Sequence, residues 1–175
     1  MGGLNFAGSG YQASMSDGCH TPHPRSAGDF STVSRAEPQA VAAMTEGVRT
    51  WLGRAVQIDE VRTADITLAT YEALANCADH AYRHAGSPGT MTVEATCDHR
   101  NALVRVCVTD EGSWVDPGDG PAVAGRGRGI RLMQALSDDC TVHGTDGGTT
   151  VCLHFEQCPL ARAAHTDSAR PGTPP

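Results

Sequence analysis

Residues 71–82 read Tyr71-Glu72-Ala73-Leu74-Ala75-Asn76-Cys77-Ala78-Asp79-His80-Ala81-Tyr82, and the reading of this stretch decides the fold. Its apolar positions continue a series that starts at Val61 and runs through Ala64, Leu68, Tyr71, Ala75, Ala78 and Tyr82 at spacings of three and four. That is the period of an amphipathic helix, so one long helix is predicted from about Asp59 to Tyr82 with this stripe toward the core. Glu72, Asn76 and His80 recur every fourth residue and therefore share one face, about 100° from the stripe. A carboxylate one turn from a carboxamide oxygen suits a base beside a hard cation, because Mg²⁺ takes oxygen ligands. A polar helix face by itself is ordinarily no more than a solvated one.

Working outward toward the N-terminus, Val41, Met44, Val48, Trp51 and Leu52 make a second helical stripe ending near Arg54. Pro38 sits in its first turn, where a missing N–H costs nothing. Phe30 to Val33 is a short strand candidate before it. Toward the C-terminus, Ala85-Gly86-Ser87-Pro88-Gly89 stops the long helix. Met91 to Cys97 and Ala102 to Thr109 alternate as strands on either side of Asp98-His99-Arg100-Asn101, a hairpin. A Gly- and Pro-rich loop over 111–129 leads to a short helix around Ile130, Met133 and Leu136, then to strands Cys140 to His143 and Thr149 to Phe155 across a Gly-rich turn at 144–148. Helices followed by a meander predict an α+β two-layer sandwich: a mixed, mainly antiparallel sheet with the helices on one face.

The 175 residues suit a single domain with tails. Residues 1–28, rich in Gly, Ser, Pro and His, are expected to be a disordered arm, 29–157 the ordered domain, and 158–175 a second disordered tail. Thirteen basic against twenty acidic side chains leave a net charge of −7, so no overall positive field gathers nucleic acid or an anionic membrane. All thirteen basic residues are arginines. A lysine-free chain cannot operate a Walker A loop, the strand lysine of the common protein-kinase fold, or Schiff-base catalysis. Seven scattered cysteines, none spaced C-x-x-C, read as free thiols packed as small hydrophobes rather than as a disulfide framework. With no signal-like segment or apolar span, a cytoplasmic protein is expected.

Three further motifs follow the helix. Val106 to Gly112 delivers Asp110 from an apolar strand to a glycine turn. Gly125-Arg126-Gly127-Arg128-Gly129 precedes a helix with glycine at every second position, which lets backbone N–H groups and the helix N-terminus approach an anion. Asp146-Gly147-Gly148-Thr149-Thr150 leads into the last strand. Each has an ordinary reading as a turn or surface loop, but their order carries more than any one of them.

Helix with Glu-x-x-x-Asn, strand with Asp-x-Gly, glycine loop before a helix and Gly-Thr before a strand resemble the N, G1, G2 and G3 boxes of the GHKL ATPase superfamily. Glu72 to Tyr82, with His-Ala-Tyr closing the motif, looks most like the anti-sigma-factor serine-kinase branch. The resemblance implies ATP and Mg²⁺ as cofactors, Glu72 as the general base toward a substrate serine, and Asn76 as the Mg²⁺ ligand. It implies Asp110 as acceptor for the adenine amino group, Gly112 as room for the ring, and Thr149 near the adenine. Gly125, Arg126, Gly127, Arg128 and Gly129 would belong to a phosphate-covering lid, and His80 would cap phosphates or pack beneath them. The G1 box departs from the pattern in having Trp114 where a glycine is usual. The expected function is that of a serine kinase and anti-sigma factor that phosphorylates an anti-anti-sigma partner of STAS type and sequesters a sigma factor, with a homodimer also implied. A nucleotide-gated binding module and a slow ATPase are the competing readings. Helix one, with Arg49 and Trp51, is a candidate contact surface.

Overall fold

The computed structural model describes residues 28–82, 87–112, 128–145 and 147–161. Five strands form one sheet: β1 (Phe30–Arg35), β2 (Thr90–Asp98), β3 (Leu103–Asp110), β4 (Asp139–Thr145) and β5 (Gly148–Phe155). Three helices, α1 (Pro38–Ala55), α2 (Glu60–Asn76) and α3 (Arg128–Leu136), complete the described elements, together with a π-helical turn, Cys77–Ala81, directly after α2. The spatial order is β1-β2-β3-β5-β4. All four ladders are antiparallel, so the parallel component of a mixed sheet does not occur among the described strands. The cause is topological. β4 runs in the same direction as β3, and β5 inserts between them, so like-directed strands never touch.

Alternation assigns the two faces of the sheet. Val104, Val106, Val108 and Asp110 of β3, with Val151, Leu153 and Phe155 of β5 and Met91, Val93 and Ala95 of β2, are buried toward the helices. Their partners in sequence point to the other face, which none of the described helices covers. The helices contribute Val41, Met44, Val48, Trp51 and Leu52 from α1, Ile66, Ala69, Ala73 and Leu74 from α2, and Met133 from α3 to the same core. Pro38 stands in the first turn of α1, and α2 starts from an Asp59 cap whose side chain accepts from the Arg62 N–H at 2.7 Å.

Four expectations are corrected here. The outer stripe of α2 is not its core face: Val61 is 70% exposed, Leu68 42% and Tyr71 44%, while Ile66, Ala69, Thr70, Ala73, Leu74 and Cys77 are buried. Both sets recur at threes and fours, and the sequence period alone does not say which of them meets the sheet. Trp51 is core rather than contact surface, with its indole N–H donating to the Gly28 carbonyl at 2.7 Å, and Arg49 pairs with Glu46 on the same helix. The cysteines are not all free. Cys107 and Cys152 are directly opposite in the β3–β5 register and form a disulfide. Finally, the packed chain continues beyond residue 157: Cys158 is fully buried and Leu160 bridges to Val56, so residues 158–161 are not part of a disordered tail, and the rest of the expected tail lies outside the described residues. The arm at 1–27, Trp114 and the lid residues Gly125, Arg126 and Gly127 lie outside the described residues.

Candidate functional site

The site is assembled from two places that meet where α2 ends. On the first side, Glu72 and Asn76 occupy consecutive turns of α2 and are half-buried, at the border between its core face and its outer stripe. The N-terminal turn of α3 lies against them. A Cβ on Gly129 would stand 3.2 Å from Glu72 Oε2 and 3.3 Å from both Oδ1 and Nδ2 of Asn76. The helix N-terminus, with its partial positive charge, thus comes close to the carboxylate and carboxamide, and a side chain at 129 would crowd both. Arg128 is exposed beside it. His80 projects from the π-turn and is exposed.

On the second side, Asp110 ends β3 and Thr149 begins β5, and the register pairs them directly. Both are buried, Asp110 to 4% exposure. A carboxylate taken so far from water must have partners. Asp110 Oδ1 accepts from the Gly112 N–H at 2.9 Å, which bends the chain immediately after the strand. The Cys77 thiol lies on the same carboxylate, and burial together with the charge of Asp110 pushes that thiol well up. Gly148 adopts φ +140°, and a Cβ there would lie 2.1 Å from the Asp110 carbonyl oxygen, so glycine is required at the close approach of β5 to β3. At Gly112 a Cβ would meet the Ala81 carbonyl oxygen at 2.2 Å, which makes the neighbour of this glycine the protein's own π-turn.

Asn76 and Cys77 are adjacent in sequence, one facing Gly129 and the other Asp110, and they join the two sides. Glu72, Asn76 and Gly129 are thus brought together, as are Asp110, Gly112 and Thr149. The donor set beside α3 is one carboxylate and one carboxamide, with no group of three or more His, Cys, Asp or Glu that could hold a metal among the described residues. That composition fits Mg²⁺ held largely by substrate phosphates and water rather than a metal caged by protein. Cys77 was missed in sequence, where it read only as a small hydrophobe; Gly148 and Tyr82 stood within the Gly-Thr and His-Ala-Tyr motifs, but the close approach of Gly148 to Asp110 and the bonds of the Tyr82 hydroxyl to the strand ends were not read from them.

An α+β layer with a carboxylate-amide helix, an acid at a strand end and a glycine-opened helix converging on one end of the sheet defines an ATP-binding domain of the GHKL type. The family described as the histidine kinase-like ATPase domain matches residues 34–155. The chain belongs to that family, and so to the GHKL superfamily. Among solved structures it is similar to the RsbU and RsbW domains of Rv1364c from Mycobacterium tuberculosis, with 26% identity, a TM-score of 0.57, and coverage of 78% of this chain and 33% of that one. The chain therefore spans about a third of the length of that relative. It also matches the histidine kinase domain of the blue-light activated histidine kinase from Erythrobacter litoralis EL346, with 20% identity, a TM-score of 0.46, and coverage of 67% of this chain and 63% of that one. No helix among the described residues is long and apolar enough to cross a membrane.

Proposed function

We propose that this chain is a Mg·ATP-dependent serine kinase and anti-sigma factor, acting on an anti-anti-sigma partner of STAS type and holding a sigma factor in the partner's absence. The observation that carries the reading is the juxtaposition at Gly129: a carboxylate and a carboxamide lie under a helix N-terminus on the helix whose next residue, Cys77, touches Asp110. Likeness to the RsbW-containing chain supports the branch. Asp110, supported by Gly112 and paired with Thr149, would accept from the adenine amino group. Asn76 would hold Mg²⁺, which when bound neutralises phosphate charge.

Glu72 would accept the proton of the partner's serine hydroxyl as its oxygen bonds to the γ-phosphorus and the bridging bond to ADP breaks. Such chemistry is mainly positioning and electrostatic stabilisation, so a weak base suffices. Arg128 would approach the phosphates with the rest of the glycine-arginine loop.

The test is incubation of the purified chain with γ-labelled ATP, Mg²⁺ and a protein that co-purifies with it. Transfer of label to a serine of that protein is expected. ATP uptake without label on any protein would favour a nucleotide-gated binding module instead.

A further inference from the structure

The end of the π-turn carries a residue that ties the strand ends together. The Tyr82 hydroxyl donates to the Thr90 carbonyl at 2.5 Å and accepts from the Glu111 N–H at 2.9 Å, so one phenol spans the start of β2 and the turn that follows β3. The Thr90 hydroxyl also reaches the Glu111 carboxylate at 3.2 Å. Tyr82 can stand there only because residue 89 is glycine, since a Cβ at that position would lie 2.2 Å from its ring. One residue earlier, the Ala81 carbonyl presses on Gly112 closely enough to exclude any side chain. π-Turns insert an extra residue into a helix and recur at functional sites. Here the inserted turn brings both Ala81 and Tyr82 to bear on Glu111 and Gly112. Gly112 is the residue whose N–H holds the Asp110 carboxylate.

We propose that Tyr82 is a positioning residue for base recognition: with Ala81 it clamps the Glu111–Gly112 turn, and the clamped turn aims the Asp110 carboxylate at the amino group of an adenine. The inference rests on the nucleotide-site reading given above and adds to it the element that sets base selectivity. A neutral phenol is needed, because only then can one oxygen both donate and accept. Burial raises this phenol from its ordinary value, against the lowering bond from Glu111, and the nearby acidic groups Asp110 and Glu111 raise it further. Phenylalanine at 82 keeps the ring on Gly89 and removes both bonds, leaving the Glu111 N–H without this partner.

The experiment is a calorimetric titration of Mg·ATP into wild type, Tyr82→Phe and Gly89→Ala, with amide exchange measured residue by residue. In Tyr82→Phe the ATP dissociation constant is expected to rise about tenfold, the equivalent of one net hydrogen bond, with faster exchange confined to the Glu111–Gly112 turn. Unchanged ATP affinity in Tyr82→Phe overturns the proposal. So does a weakened affinity accompanied by loss of protection throughout β2 and β3, which is the signature of plain destabilisation. Should Tyr82→Phe fail to fold, Gly89→Ala decides, because it keeps the hydroxyl and displaces the ring: weakened ATP binding supports the clamp and wild-type binding refutes it. A wild-type chain that takes up no adenine nucleotide removes the nucleotide-site reading itself, whereas tight wild-type binding with indifferent variants removes only the role of Tyr82.

Discussion

Glu72 and Gly148 show two different ways in which one residue can matter to this site. Glu72 is half-buried beside Gly129 and carries no structural duty that a neutral isostere could not perform. Glu72→Gln is therefore expected to retain Mg·ATP binding while phosphoryl transfer falls by about 10²–10⁴, the usual contribution of a positioned base. Single-turnover transfer beside a binding titration separates the two, and undiminished transfer would reject the assigned role. Gly148, by contrast, acts through the backbone. Its φ of +140° and the 2.1 Å approach of a Cβ to the Asp110 carbonyl leave an alanine nowhere to go without moving β5 from β3. Gly148→Ala is expected to cost about 2–4 kcal/mol, read as a lower urea midpoint.

At the scale of elements, the order of helices and strands was legible in the sequence, because apolar alternation and proline and glycine punctuation mark roughly where each begins and ends. The face that α2 buries was not legible. Ile66, Ala69, Ala73, Leu74 and Cys77 have the same period as Val61, Leu68 and Tyr71, and a one-dimensional pattern contains no sheet against which to choose between them. The break from α-helix to π-turn at Cys77 was hidden for the same reason, since the turn packs on Gly112, just after β3, and Tyr82 that follows it packs on Gly89, just before β2. Glu72, Asn76, Asp110 and Thr149 could be singled out because the motifs that carry them follow in the order of the GHKL boxes, although each alone is an ordinary helix face or turn. The support from Cys77 could not, as it looks like packing, and the His-Ala-Tyr motif does not say where the Tyr82 hydroxyl bonds.

The start of α2 is held by an anchor that gives a pH prediction. Arg62 donates to the Glu156 carbonyl at 2.9 Å, pairs with Asp138, and lies 5.4 Å from the centre of the Phe155 ring. Burial acts to raise the Asp138 carboxyl, but the Glu156 N–H and the Arg62 guanidinium outweigh it and leave it below its ordinary 3.8. A carboxyl lowered in the folded state stabilises fully above its unfolded value, and that contribution is lost as the pH falls from 3.8 through the lowered value. Asp138→Asn is therefore expected to flatten the acid limb of the melting temperature against pH. Arg62→Ala should cost about 1–2 kcal/mol at neutral pH, mostly through the carbonyl bond and the ring contact, because the ion pair is partly in water. Thermal melts between pH 3 and 7, on both variants, check the pair of expectations.

Taken as a whole, the molecule has its described helices on one face of the sheet, and the disulfide lies on the opposite face, where Cys152 is nonetheless buried. Cys107 and Cys152 join the two strands that end in Asp110 and Thr149. The Arg105 guanidinium donates to Cys107 Sγ at 3.1 Å and reaches Cys152 Sγ at 3.7 Å. Cysteine spacing gave no hint of the bridge, because the residues are 45 apart and become neighbours only through the β3–β5 register. Closing a loop of that length stabilises by about 2–4 kcal/mol in the chain-entropy view. A dithiol reductant is thus expected to lower the melting temperature of wild type and leave Cys107→Ser with Cys152→Ser unmoved, a difference that differential scanning calorimetry reads directly.

The same bridge has a mechanical consequence. When the chain is stretched from its two ends, the segment between the bridged positions, which are 45 apart in sequence and enclose α3 and β4, stays out of the line of force. An extended residue spans at most about 3.3–3.6 Å, so on the order of 150 Å of contour is shielded until the sulfur–sulfur bond is cut. Optical-tweezer traces taken before and after reductant should differ by about that length, and equal traces would mean the two sulfurs are not joined in solution.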